Sequence, residues 1–283
     1  MMPPPCSLPH RAVISLTGPD TLTLLERLVT HDTQNWAPGE TRYGGLLTPQ
    51  GKVLADWLAL RTPEGVVLDT DKAHAEALLK RLKLFRLRSQ VEIRLCEELA
   101  ILAAASDTEL EAVHRFTDVR TPDGSIRYAV STEQAETDDA QLAAYHLSRI
   151  QKGLPEQGFD FASGEVFPAD INMDLLGGVA LKKGCFVGQE VVSRMHRRGT
   201  IRKRTVAVTL PQGVDYAPGQ ELRAPQPIGQ LTSLSGQHAL ARIRVDRLAK
   251  ALQAQQEIQC QEQPVELHFS DWLQTELQAY SET

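Results

Sequence analysis

What the chain has little of narrows its class first. It holds four cysteines in 283 residues, Cys6, Cys96, Cys185 and Cys260. They are far apart and form no CxxC pair, so no zinc site or local redox pair is expected. Read as free thiols, they place the protein in a reducing cytoplasm. No run approaches the roughly 20 apolar residues that span a bilayer. The opening Met1-Met2-Pro3-Pro4-Pro5 lacks the basic region and apolar stretch of a signal peptide. A soluble, cytoplasmic protein without a membrane span is the expectation. The net charge of −6 gives no global basic excess that would indicate nucleic acid. His31, His146 and His196 have no second ligand at metal-like spacing, so no metal is expected.

What is present reads as mixed α and β. Residues 12–16 form a short strand, closed by Thr17-Gly18-Pro19-Asp20, and Asp20 or Thr21 caps a following helix. Residues 43–47 and 53–60 flank Pro49-Gln50-Gly51-Lys52 as a hairpin, with Gly51 free to take positive φ. Asp71 caps a helix whose Ala75, Leu78, Leu79, Leu82 and Phe85 recur at helical spacing. Its outer face carries Lys80, Arg81, Lys83, Arg86 and Arg88, either a solvated face or a surface for an anionic ligand. Strands at 91–95 and 126–130, an apolar run at 100–105, a short helix at 109–116 and a helix at 137–150 complete this part. Without a steady βα repeat, the fold class is α+β. From Arg204 the chain turns to short alternating strands, which suggests a small closed or nearly closed β-domain. The expected domains are therefore 1–203 and 204–283.

The densest chemistry lies in Lys182 through Glu190. Gly184 and Gly188 flank Cys185 at short range, and two lysines precede the thiol. Cations and a following helix N-terminus favour a thiolate. The other reading is a glycine-rich turn around a buried structural cysteine. Downstream, Arg194, Arg197, Arg198, Arg202, Lys203 and Arg204 form a local basic run suited to RNA, a polyanionic tail or an acidic protein. It lacks the aromatic interleaving of a single-strand platform.

The string Lys183-Gly184-Cys185-Phe186-Val187-Gly188-Gln189-Glu190 resembles the signature of the YgfZ family, whose relatives act in iron–sulfur cluster maturation. Gly153-Leu154-Pro155, the stretch from Phe167 to Asp174, and Leu28-Val29-Thr30-His31-Asp32 extend the likeness, the last being similar to the opening of glycine-cleavage T-proteins. The resemblance implies a T-protein-like ring of α/β subdomains around a folate pocket, followed by a C-terminal β-barrel. It implies tetrahydrofolate or a one-carbon derivative as cofactor, with Asp170, Asn172, Asp174, Lys183, Gln189 and Glu190 as binding residues. A carboxylate suits a pterin because it accepts two parallel hydrogen bonds. It implies iron–sulfur assembly or client proteins as partners, tRNA-modifying enzymes among the clients, and Cys185 as the key thiol. T-proteins carry an acidic pair where this chain reads Ala55-Asp56. With one carboxylate left, aminomethyl transfer through Asp56 is the alternative function, and a non-enzymatic RNA- or protein-binding module the second alternative.

Overall fold

The computed structural model describes residues 5–199 and 201–281. In chain order the elements begin with β1 (Cys6–Ser7), β2 (Arg11–Thr17), α1 (Thr21–Leu28), β3 (Thr41–Leu47), β4 (Val53–Thr62) and β5 (Gly65–Asp71). They continue with α2 (Lys72–Arg86), β6 (Glu92–Leu95), β7 (Leu99–Ala104), β8 (His114–Thr117), β9 (Ile126–Ser131), α3 (Asp139–Gln151) and α4 (Gln189–Arg197). The remainder comprises β10 (Lys203–Thr209), β11 (Glu221–Ala224), β12 (Gln226–Ser235), β13 (His238–Arg244), α5 (Val245–Gln253), β14 (Gln259–Cys260), β15 (Gln263–Pro264), β16 (Glu266–His268) and α6 (Asp271–Ser281).

The chain divides into two compact units. The first comprises Met1–Tyr145, Ser163–Pro168 and Met173–Arg194. It contains a five-stranded sheet in the order β3-β4-β5-β2-β6 and a four-stranded sheet in the order β1-β7-β9-β8. Every paired neighbour in both is antiparallel. Helices α1 and α2 cover the larger sheet, where Leu25, Leu28, Leu78 and Leu82 pack with Ile14, Leu16, Trp57 and Leu68. Burying each such side chain stabilises by about 1.5–3 kcal/mol. Helix α2 starts where expected, since the Asp71 carboxylate accepts from His74 N at 3.0 Å and satisfies one open end of the helix. Asp20 does not cap α1 with its side chain. Its carboxylate instead accepts from Gln90 N at 2.7 Å.

Between β7 and β8 the chain departs from its local pattern. Residues 109–113 are irregular rather than helical, and His114–Thr117 form strand β8 against β9. Phe116, fully buried, gains more by packing in this sheet than the short stretch gains as an isolated helix turn.

The second unit comprises His146–Ala162, Ala169–Asn172 and Met195–Thr283. Its seven strands follow the order β15-β14-β11-β12-β13-β10-β16, all antiparallel. Alternate residues of β10, β12 and β13, among them Val206, Val208, Leu231, Ala241 and Ile243, form its core with Leu248 of α5 and Leu273 of α6. This is a nearly closed β-barrel, as the alternation from Arg204 onward predicts.

Candidate functional site

The signature loop belongs to the first unit, and its residues divide into two groups. Lys183 turns inward, with its side chain only 1% exposed. Its Nζ donates to Val29 O at 3.0 Å and His31 O at 2.7 Å, and sits 3.4 Å from the Glu26 carboxylate. Burial pushes the Lys183 ammonium below its ordinary pKa, and Glu26 acts in the opposite direction. Glu26 is itself oriented by Thr33, which donates to it through N and Oγ1. The Gln189 side chain donates to Lys183 O at 3.1 Å. Phe186 is buried, and Val187 packs against the core of the larger sheet.

Gly188 adopts φ +80°, and a Cβ there would lie 2.6 Å from Thr48 O. It therefore seats the loop on the β3–β4 turn, where Gly51 has φ +79° as its sequence position predicts. Gly184, Cys185 and Glu190 face solvent. Cys185 is thus an exposed thiol rather than a buried structural cysteine, whereas Cys6, Cys96 and Cys260 are buried.

Beneath this loop lies His31, a residue to which the sequence assigns no role. Its Nδ1 is 3.0 Å from Asp32 O, a pure acceptor, so Nδ1 carries the proton and Nε2 is the bare nitrogen. Nε2 is buried with no hydrogen-bond partner among the described residues. The ring fills the space over Gly44, where a Cβ would lie 2.3 Å from it, and meets Trp36 edge-on with centroids 5.1 Å apart. Burial lowers the His31 pKa to about 4, with the Lys183 cation contributing. The imidazole is therefore neutral at physiological pH.

Asp56 lies on β4 opposite Gly45 and is buried. Tyr43 Oη donates to it at 2.9 Å, and burial, then the Asp56 charge, drives the Tyr43 phenol well above its ordinary pKa. The Arg120 guanidinium lies 5.2 Å from the Tyr43 ring centroid and forks onto Asp118 at 2.9 and 2.7 Å. Arg127 links Asp118 to Asp69, and Arg11 completes the row with a 2.7 Å contact to Asp69. Burial works to raise the Asp118 carboxyl, but Arg120 and Arg127 outweigh it and hold it below the ordinary carboxylate range. This buried row of alternating charge links residues distant in sequence, and no local motif marks it.

The remaining sequence-predicted residues are dispersed. Asp174 is partly exposed in the first unit. Asp170 and Asn172 are buried and belong to the second. The Asn172 side chain donates to Thr205 O at 2.8 Å and accepts from Thr205 N at 3.3 Å, so its amide holds the start of β10. In the basic run, Arg194, Arg197, Arg198, Arg202 and Lys203 are exposed. Arg204 departs from that expectation. It is buried, paired with Glu276 at 2.5 and 3.0 Å, bonded to Ala169 O and stacked near Trp272. An arginine with its donors already engaged is withdrawn from any RNA contact.

The chain is similar in fold to a crystal structure of glycine cleavage system aminomethyltransferase T from Bartonella henselae, with a TM-score of 0.71 and 16% identity, covering 94% of this chain and 84% of that one. The fold is that of a T-protein. Residues 202–275 match the family model described as CAF17, C-terminal beta-barrel domain. In sequence the chain is similar to a protein of Mycosarcoma maydis named iron-sulfur cluster assembly factor IBA57 homolog, mitochondrial. The identity is 33% over 227 residues, covering 71% of this chain and 56% of the relative. A protein of the same name from Coccidioides immitis is 31% identical over 76% of this chain and 60% of its own length. The chain thus spans somewhat more than half the length of these curated relatives. They are named as mitochondrial, which overturns the cytoplasmic placement. Unpaired cysteines suit any reducing compartment, so composition does not separate one from another.

Proposed function

We propose that this protein is an accessory factor in iron–sulfur cluster assembly or repair, with Cys185 as its working thiol and folate as its ligand. The observation that carries the reading is the division of labour in the signature loop. Lys183, Phe186, Gly188 and Gln189 are used to hold the loop, and Cys185 is presented to solvent between them, as are Gly184 and Glu190. The likeness to proteins named as assembly factors supports the same direction. A single exposed thiol supplies one ligand, so a transferred cluster would take its other ligands from the partner. Clients would include tRNA-modifying enzymes, and an anionic partner would meet the exposed Arg194, Arg198, Arg202 and Lys203.

The residues present suit a pterin. Its amino and ring N–H groups need acceptors, and the carboxylates of Glu190 and Asp174 reach solvent in the first unit. The bare, buried Nε2 of His31 is a further acceptor in that unit. Lys183 and Gln189 would contribute by fixing the loop that bears Glu190, whereas Asp170 and Asn172 brace β10 through Thr205 in the second unit. In this reading residues 1–203 form the folate-binding region and 204–283 the barrel.

The decisive experiment pairs Cys185→Ala in cells with calorimetric titration of the purified protein. The variant should lose support of iron–sulfur enzyme activities while melting as the wild type does, and tetrahydrofolate or its methylene or formyl form should bind. Full cellular activity of the variant would remove the thiol role, and failure of all three folates to bind would remove the pocket. One observation favours a second reading. The buried Asp56, held by Tyr43 on a T-protein fold, suits the orientation of a reacting amine in one-carbon transfer. Asp56-dependent methylene transfer to tetrahydrofolate would establish it.

A further inference from the structure

The C-terminal end of α2 presents an arrangement that the proposed function does not use. Leu84 and Leu87 are 72% and 84% exposed, far more than the other leucines of this helix. Leu84 lies in the last turn of the helix and Leu87 is the residue that caps it, so both exposed leucines stand at the same end of α2. Lys80 and Arg81 stand one turn before Leu84, Lys83 one turn before Leu87, and Arg88 follows, all exposed. Arg86 is turned back to Val91 O at 3.2 Å. Residues 80–88 contain five cations and no acid, in a chain whose net charge is −6. Glu76, paired with Lys80 at 3.4 Å, is the one carboxylate on this helix.

Leu87 also has a backbone conformation that suits glycine, with φ +49° and ψ −111°. A large apolar side chain is therefore held in solvent on a strained backbone, two unfavourable features at one residue. The buried side of the helix is already satisfied, since Ala75, Leu78 and Leu82 pack into the sheet.

We propose that this end of α2 is a docking surface for an acidic, amphipathic segment of another protein, a surface distinct from the signature loop. Leu84 and Leu87 would enter the apolar face of that segment, and Lys80, Arg81, Lys83 and Arg88 would pair with its flanking carboxylates. Charge complementarity selects the occupant. A nucleic acid would use the cations and gain nothing from the leucines. A membrane-lying helix needs a broad apolar face, and the apolar face of α2 is committed to the core. An apolar anchor ringed by one sign of charge instead matches the core and rim of a protein interface.

The test uses the full chain and a fluorescent synthetic helix with leucines on one face and glutamates on the other, read by anisotropy. Two variants alter exposed side chains only, Leu84→Ser/Leu87→Ser and Arg81→Glu/Arg88→Glu, and thermal melts confirm that both remain folded. Saturable binding should weaken at least tenfold in each, and the same helix with lysines in place of glutamates should not bind. Loss in the arginine variant alone would reduce the surface to unspecific charge attraction and overturn the proposal. So would no binding of the acidic helix, tighter retention on phosphatidylserine vesicles, or self-association of the wild type that the leucine variant abolishes. Cluster-related activity of Cys185 is not part of this readout, so failure here leaves that reading separately testable.

Discussion

At the scale of single residues, the signature separates into groups that hold the loop and groups that meet solvent. Lys183 looks in sequence like a cation placed to activate the neighbouring thiol. In the structure its ammonium is committed to two backbone carbonyls and Glu26. Lys183→Met should therefore act on the fold, taking the Lys183 donor from two backbone carbonyls and the cation from Glu26, and cost about 2–4 kcal/mol in urea unfolding. Cys185→Ser at the exposed position should leave stability within about 0.5 kcal/mol.

His31 adds a pH dependence. Its folded pKa is about 4, against 6.5 ordinarily, so as pH falls the unfolded chain takes up the proton first. The stability it contributes is complete above about pH 6.5 and is lost as pH falls towards 4, with a total of about 3 kcal/mol. The stability difference between wild type and His31→Gln should accordingly shrink by about 2 kcal/mol between pH 7 and 4.5. An unchanged difference would show that the imidazole is hydrated or charged in the folded state.

At the scale of elements, the two glycines of the signature have different jobs. Gly188 has positive φ and backbone atoms where a Cβ would sit, whereas Gly184 has open space around it. Gly188→Ala should cost at least about 2 kcal/mol and lower the melting temperature by several degrees, while Gly184→Ala should be nearly neutral. Sequence spacing alone treats the two alike. What it did make legible were elements whose signals are local: the β3–β4 hairpin with Gly51 at its turn and the Asp71 cap of α2. Strand β8 was lost because its identity depends on pairing with β9, a partner that lies beyond the local window.

At the scale of the molecule, the least legible feature is the buried row Arg11, Asp69, Arg127, Asp118 and Arg120, which ends at Tyr43 and Asp56. Its members come from β2, β5, β9, β3, β4 and the loop after β8, so periodicity cannot connect them. Individually they look like surface charges, and only the fold makes them interior. Burial also fixes their energetics. The intact row offsets the desolvation of each ion with an opposite charge, but removing one leaves its neighbours buried without compensation. Asp69 is the sharpest case, since it receives both Arg11 and Arg127 and is fully buried. Asp69→Asn should cost about 3–5 kcal/mol in denaturant unfolding, more than Lys183→Met, because two guanidinium groups lose their counterion at once. Asp69→Asn combined with Arg11→Met, which removes one of the stranded cations, should recover part of that loss. Full additivity of the two substitutions would mean that Arg11 and Asp69 are not energetically coupled despite their 2.7 Å contact. The same double substitution would show whether Asp56, at the far end of the row, depends on it. If the row positions Tyr43 through Arg120, any folate binding should weaken with the loss of Asp69 even though that carboxylate is linked to Tyr43 only through the row.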